Sequence, residues 1–211
     1  MEDRLAPEEL LPPRLHTPRL LLRPVERGDA DGIFAYASDP EVARYTLWDP
    51  HGSRQDTEFF IEDYALANYR QRVPDPFILE SREEPGKILG TVGCHWASEL
   101  HRTMELGFAL AREAWGKGLG TEAAWAVTCF AFSTFRPARL QARCHADNPA
   151  SARVLEKIGM SHEGLLRAAA IKGTVVWDVH LYALVRRDWQ AFLLKERSGA
   201  PGRPLAPVAE R

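Results

Sequence analysis

Several features are scarce in this sequence, and each scarcity excludes something. Only Cys94, Cys129 and Cys144 supply thiols in 211 residues. Their odd number and wide spacing fit neither a disulfide framework nor a zinc ribbon, so a reducing, cytoplasmic setting is expected. No stretch approaches the roughly 18 unbroken apolar residues of a membrane helix. Met1–Leu11 is acidic and proline-bounded rather than a charged segment leading into an apolar one, so no secretory leader and no membrane partner are expected. An excess of one charge is also missing: the formal net charge is −2, which argues against binding nucleic acid through a strongly basic surface. His95, His101, His145, His162 and His180 do not stand at metal-ligand spacing with acids or cysteines, so no metal is expected.

What remains is an ordinary globular balance, 45% hydrophobic and 27% charged, with enough length for one domain plus flanking segments. Residues 1–14 read as an arm and 15–197 as the domain. Residues 198–211, rich in proline and glycine, read as a disordered tail. Strand and helix signals alternate between them. Arg19–Arg23, Phe77–Glu80, Lys87–Cys94, Met104–Leu110, Leu140–His145 and Val175–Leu184 read as strands. Asp29–Ser38, Asp56–Tyr69, Thr121–Phe135, Ala150–Ile158 and Asp188–Lys195 read as helices. In Met104–Leu110 the apolar Met104, Leu106, Phe108 and Leu110 face one way, and Glu105, Gly107 and Ala109 the other. In the last strand Asp178, His180 and Tyr182 share a face. The class is α+β on a mixed sheet.

The strongest local signal is Trp115-Gly116-Lys117-Gly118-Leu119-Gly120-Thr121-Glu122, between an alternating strand and an amphipathic helix. Glycines at every second position let backbone N–H groups converge on a ligand, and the helix adds its positive end, so a phosphate or pyrophosphate is the natural occupant. The spacing is neither a Walker loop nor a dinucleotide fingerprint; a plain strand-to-helix connection is the competing account. Downstream, Asp147-Asn148-Pro149-Ala150-Ser151 joins a strand to a helix. Asn148 there serves as an N-cap, as an amide donor to a ligand, or as both.

With these two segments in hand, the sequence resembles the GNAT acyltransferase superfamily, and within it the ribosomal-protein-alanine N-acetyltransferase (RimJ/RimL-like) type. The resemblance runs over roughly Leu15–Trp189. It includes His16–Arg23, Gly90–Gly93, Glu105–Phe108, Gly116–Glu122, Asn148–Ser151, Glu156–Met160, Glu163-Gly164, and Asp178 with Tyr182. It implies a GNAT fold, a mixed central sheet with splayed middle strands flanked by helices, that uses acetyl-CoA as co-substrate and no metal. By carry-over, Phe108, Ala109 and Leu110 face the pantetheine and thioester. Gly116, Lys117, Gly118, Leu119, Gly120 and Thr121 hold the phosphates, and Asn148 and Ser151 close the other side.

Two positions depart from the superfamily pattern. Trp115 replaces the usual Gln or Arg, and Leu155 stands where many members carry the Tyr that protonates the leaving thiolate. Ser151 is the expected substitute acid. Glu105 is the candidate proton acceptor, with a solvated or ion-paired sheet carboxylate as the competing account. The acceptor pocket is expected among the Arg44–Gly52 loop, the Val175–Tyr182 strand and the turn at Lys172-Gly173. There Trp48, Trp177 and Tyr182 would form walls, with plain core aromatics as the competing account. Asp178 would be an ammonium anchor or alternative acid, with a structural hydrogen-bond acceptor as the competing account. The expected reaction is acetyl transfer to a primary amine, foremost a protein N-terminal α-amine. A small-molecule amine acceptor and a non-catalytic acyl-CoA-binding domain are the alternatives, and a homodimer is left open.

Overall fold

The computed structural model describes residues 12–197 and 208–210. Its strands are β1 Arg14–His16, β2 Leu20–Pro24, β3 Phe77–Ser81, β4 Ile88–Ser98 and β5 Thr103–Leu110. They continue with β6 Arg139–His145, β7 Ser161–Lys172, β8 Val175–Val185 and β9 Val208–Glu210. They form one sheet in the order β7-β8-β6-β5-β4-β3-β2-β1-β9. Neighbours are antiparallel except the central pair, β5 and β6, which run parallel. That pair is hydrogen-bonded only from Thr103↔Arg139 to Glu105↔Gln141. Beyond Glu105 the strands part, and the β6-facing backbone of Gly107–Leu110 has no strand partner. This is the predicted splay.

Each face of the sheet carries its own core. On one side lie α5 Leu119–Thr134, α6 Pro149–Lys157 and α7 Arg186–Arg197, packed on Leu22, Phe77, Cys94, Met104, Leu106, Leu140 and Tyr182. The sequence predicts a single apolar stripe on α5, but the helix is buried almost all round. The reason is a second layer: Trp125 meets Phe192 at 5.0 Å and Phe132 stacks on Trp189 at 5.0 Å, so α7 covers the face that would otherwise meet water. On the opposite side lie α1 Ala30–Ala37, the short α2 Pro40–Ala43, and a long helix. The latter runs through α3 Arg54–Phe59, a π turn at Phe60–Ala65 and α4 Leu66–Arg70. There Ile33, Tyr36, Ile61 and Tyr69 pack on Ile78 and Ile88. Burying a side chain of this size contributes about 1.5–3 kcal/mol, so both faces help hold the sheet.

Caps follow the sequence signals. Asn148 accepts from the Ser151 N–H at 3.1 Å with Pro149 in the first turn. Gly159 turns the chain out of α6. Three elements escape the sequence pattern. β7 is an edge strand, largely solvent-exposed and interrupted by register shifts, so neither alternation nor an apolar run marks it. β1 draws Arg14 out of the expected arm. Within the segment expected to be a disordered tail, Val208–Glu210 instead pair antiparallel with β1; residues 198–207 and 211, like 1–11, lie outside the described residues.

Candidate active site

The parting of β5 and β6 makes a fork, and the two lips of the fork are built differently. On one lip the glycine-rich turn leads into α5. Gly116 and Gly118 hold φ of 71° and 77°, a left-handed conformation that costs a side-chain-bearing residue about 1–2 kcal/mol. Gly118 is the N-cap of α5 and offers no side chain to cap it. The first helical hydrogen bond is made by Glu122 N to Gly118 O, so the amides ahead of it in the first turn have no helical acceptor and converge on the space beyond the turn.

A buried acid underlies that turn. Glu122, 4% exposed, accepts from Thr17 Oγ1 at 2.7 Å, Arg19 N at 2.9 Å and Arg19 Nε at 2.7 Å. Arg19 also donates to Lys117 O at 2.8 Å, tying the glycine turn to the start of β2. Trp115 donates its indole N–H to Leu110 O at 2.8 Å, joining the turn to the end of β5. The sequence gives these residues as parts of motifs; their function as a brace between β2, β5 and α5 appears only once the strands are in place.

The far face of the sheet holds side chains instead. In the β4–β5 register His95 lies opposite Glu105, and Gly93 opposite Gly107; these point away from the α5 core, where Cys94 and Leu106 sit. Glu105 accepts from Arg143 Nε at 2.9 Å and from Gln141 Nε2 at 2.8 Å, so β6 supplies partners for both its oxygens. Asp75, on the turn before β3, accepts from Tyr64 Oη at 2.5 Å and lies 3.5 Å from His95 Nδ1. The Asp75 carboxylate presses on Gly93 so closely that any Cβ there would overlap it, whereas a Cβ at Gly107 would meet nothing within 4 Å. The Asp75 hydrogen bond and charge, helped by Glu105, raise the His95 pKa above its ordinary value; burial and Arg143 oppose them. Burial and Asp75 push the Tyr64 hydroxyl up.

An aromatic wall continues this face. Tyr64 stacks on Phe60 at 5.6 Å, and His51 links Phe60 to Trp48. Across the fork, His145 packs between Tyr45 at 5.0 Å and Trp177 at 4.6 Å. Lys172 donates to Ala43 O at 2.8 Å and Trp48 O at 2.9 Å and stands 3.7 Å from Asp49. This clasps the tip of the β7–β8 hairpin to the loop after α2. The three segments expected to meet around an acceptor do meet.

Comparison with known proteins decides what such a fork is. The acetyltransferase (GNAT) domain family matches residues 19–161. The chain belongs to the GNAT acetyltransferase family. It is 32% identical over 174 residues to the uncharacterized N-acetyltransferase YoaA of Bacillus subtilis, covering 82% of this chain and 97% of that protein. It is 28% identical over 149 residues to spermidine N(1)-acetyltransferase of Escherichia coli, covering 69% of this chain and 74% of that one. The crystal structure of a GNAT-family acetyltransferase from Bacillus anthracis superposes with a TM-score of 0.74 at 28% identity, covering 82% of this chain and 99% of that chain. The chain is therefore an acetyl-CoA-dependent N-acetyltransferase.

In this GNAT protein the residues expected around acetyl-CoA gather at the fork: Phe108, Ala109 and Leu110 on its unpaired edge, Gly116–Thr121 at its mouth, and Asn148 and Ser151 on the β6–α6 side. Burial pushes the Cys144 thiol up to about 11, and the nearby Ser151 hydroxyl opposes that rise. Leu155, 1% exposed, is a core residue. Of the residues expected to line the acceptor, Trp48 and Trp177 lie on the face of His51 and His145, and Asp178 and Tyr182 on the opposite face. The Asp178 carboxylate accepts from Ala168 N at 2.8 Å, closing the bulge of β7. Tyr182 lies opposite Ala142, buried on the α6 side. Strand alternation places Asp178 and Tyr182 on one face, as read from the sequence, but that is the face that packs on α6, opposite Trp177. Among the described residues no group of three His, Cys, Asp or Glu could hold a metal ion, and no helix is long and apolar enough to cross a membrane.

Proposed function

We propose that this acetyltransferase modifies the α-amine of a polypeptide N-terminus. The observation that carries the reading is that Glu105, Asp49 and Asp75 on the acceptor face are all engaged by other side chains of the protein. Glu105 is paired with Arg143, Asp49 with Lys172, and Asp75 with His95 and Tyr64. A polyamine needs unmatched carboxylates along its length, whereas a single ammonium does not. An α-amine near pKa 8 is already partly neutral at pH 7, unlike a lysine near 10.4. Trp48, Trp177 and Tyr45 supply apolar walls for the residues that follow.

Acetyl-CoA supplies the activated acyl group. The amides of Gly116–Thr121 receive its pyrophosphate, and the free edge of Phe108–Leu110 pairs with its pantetheine arm as an added strand would. As the amine nitrogen attacks the thioester carbon, backbone N–H groups near Ala109 receive the negative charge developing on the carbonyl oxygen. The C–S bond then breaks. Ser151 protonates the departing sulfur, a modest task for a thiolate whose conjugate acid has a pKa near 8.5.

Thiol release from acetyl-CoA tests this with three acceptors: peptides with a free Ser or Ala N-terminus, N-terminally blocked lysine peptides, and spermidine. Turnover confined to the free N-termini is expected. Turnover of spermidine with silent peptides would overturn the reading.

A further inference from the structure

We infer that His95 is the proton acceptor for the incoming amine, with Asp75 as the residue that positions it. This rests on amine acetylation at the fork, and not on which amine is used.

Glu105, the acid that the sequence singles out, is committed elsewhere. One oxygen takes the Arg143 Nε at 2.9 Å and Nη2 at 2.8 Å, and the other takes the Gln141 amide at 2.8 Å. Protonating it would break its ion pair with the Arg143 guanidinium, and both of its oxygens already accept hydrogen bonds from β6. Its role is to bridge β5 to β6 at the last rung before the fork opens.

His95 has the opposite standing. It lies on the same face, directly across from Glu105, and its side chain is 45% exposed. Its Nδ1 faces the Asp75 carboxylate at 3.5 Å. An Nδ1–H directed there leaves the Nε2 lone pair for an outside proton, the tautomer that a His–Asp pair selects. Hydrogen bonds of this kind are often long before substrate binds. Asp75 is itself held from three sides: Tyr64 donates to its carboxylate, the Asn68 amide donates to its carbonyl at 2.9 Å, and Gly93 supplies the space beneath it.

Position completes the argument. Gly107 is the first β5 residue past the last parallel pair that shows this face, and it is bare of contacts. His95 is the diagonal cross-strand neighbour of Gly107, a separation of about 7 Å, within reach of an amine above that glycine through one water. The charged and titratable groups facing His95 are Asp75 from the turn before β3, Glu105 from β5 and Arg143 from β6. In the step, an N–H bond of the ammonium breaks and its proton passes to Nε2. The freed amine attacks the thioester. As the C–S bond breaks, the nitrogen gives up its second proton; Ser151 passes its own proton to the departing sulfur and is refilled by that second proton. The imidazolium later returns its proton to water.

The test compares His95→Gln, Asp75→Asn and Glu105→Gln by thiol release, with a free-Ser peptide or spermidine, whichever the wild type accepts. His95→Gln is expected to lower kcat by roughly 10²-fold or more, the usual scale for general base catalysis, with acetyl-CoA affinity by calorimetry within twofold of wild type. In the wild type kcat/KM falls as pH drops through the raised His95 pKa; Asp75→Asn moves that limb to lower pH. If neither amine is turned over, the acceptor reading fails, and the same comparison is made on acetyl-CoA hydrolysis, where water needs the same proton acceptor. An NMR titration of the imidazole, which needs no acceptor, should show the His95 pKa falling in Asp75→Asn. A loss that falls on Glu105→Gln with His95→Gln near wild type, or a His95 titration indifferent to Asp75→Asn, would overturn the inference.

Discussion

The two sides of the fork present ligands with different materials. The proposed acetyl-CoA side is backbone: the amides at the start of α5 and the free edge of β5, with side chains such as Glu122 and Arg19 beneath them as a brace. The acceptor side is side chains: Tyr64, Asp75, His95, Glu105, Arg143 and Trp177, delivered by elements far apart in sequence. A backbone site tolerates many substitutions but depends on conformation. A side-chain site depends on a few atoms and on the room they are given. Acceptors differ among relatives that share this fold, one of them a spermidine N(1)-acetyltransferase, as expected if the acceptor side is the easier to rebuild.

The sharpest way to break that contrast is Gly93→Ala. The added methyl would occupy the place of the Asp75 carboxylate, which is too short and too firmly held by Tyr64 to swing clear cheaply. Overpacking of this kind costs about 1–3 kcal/mol. The expected result is a protein that folds with a lowered Tm, binds acetyl-CoA with wild-type affinity by calorimetry, and loses turnover by at least the ~10²-fold assigned to the base. Equal losses of acetyl-CoA affinity and turnover would show that the two sides are not separable.

The same contrast explains what could be read in advance. Glycines at 116, 118 and 120 before a helix, and Asn-Pro opening another, are contiguous words, because a backbone site is local in sequence. Glu105 was legible as a polar residue on an apolar strand, but its partners Gln141 and Arg143 were not, since nothing local states that β6 lies parallel to β5. His95 and Asp75 were invisible as a pair for a similar reason: 20 residues and a strand pairing separate them, and only the bare Gly93 hints that something must lie above it. Asp178 and Tyr182 misled because strand alternation shows which residues share a face but not which face meets the acceptor.

A second intervention tests the brace on the acetyl-CoA side. Glu122→Ala removes the carboxylate shared by the Arg19 guanidinium and the Thr17 hydroxyl beneath the glycine turn, leaving them only Lys117 O and Leu20 O. Arg19 is half-exposed and recovers some hydration, so the cost is about 2–3 kcal/mol, below that of a fully buried pair. Thermal denaturation should show Tm lower by roughly 4–12 °C for a chain of this size. Below that temperature, KM for acetyl-CoA should rise on the order of tenfold while kcat changes little, because the turn presents the pyrophosphate and takes no part in proton transfer. A fall in kcat at unchanged KM would place Glu122 in the chemistry.

The smallest effect is expected where the two sides meet. Ser151 has its N–H on Asn148 and its hydroxyl against Cys144, at the point where the leaving sulfur must pass. An acid is valuable in proportion to the basicity of what leaves, and a thiolate departs almost unaided at neutral pH. Ser151→Ala should therefore lower kcat by less than about tenfold, far below the effect of His95→Gln. The deficit should shrink as pH falls, if the hydroxyl only passes on solvent protons, which then reach the sulfur without it, or stay flat, if it stabilises the sulfur by a hydrogen bond. The pH profile of the ratio between wild-type and Ser151→Ala kcat separates the two, and a loss as large as that of His95→Gln would make thiolate departure, rather than amine deprotonation, the step this fold has to assist.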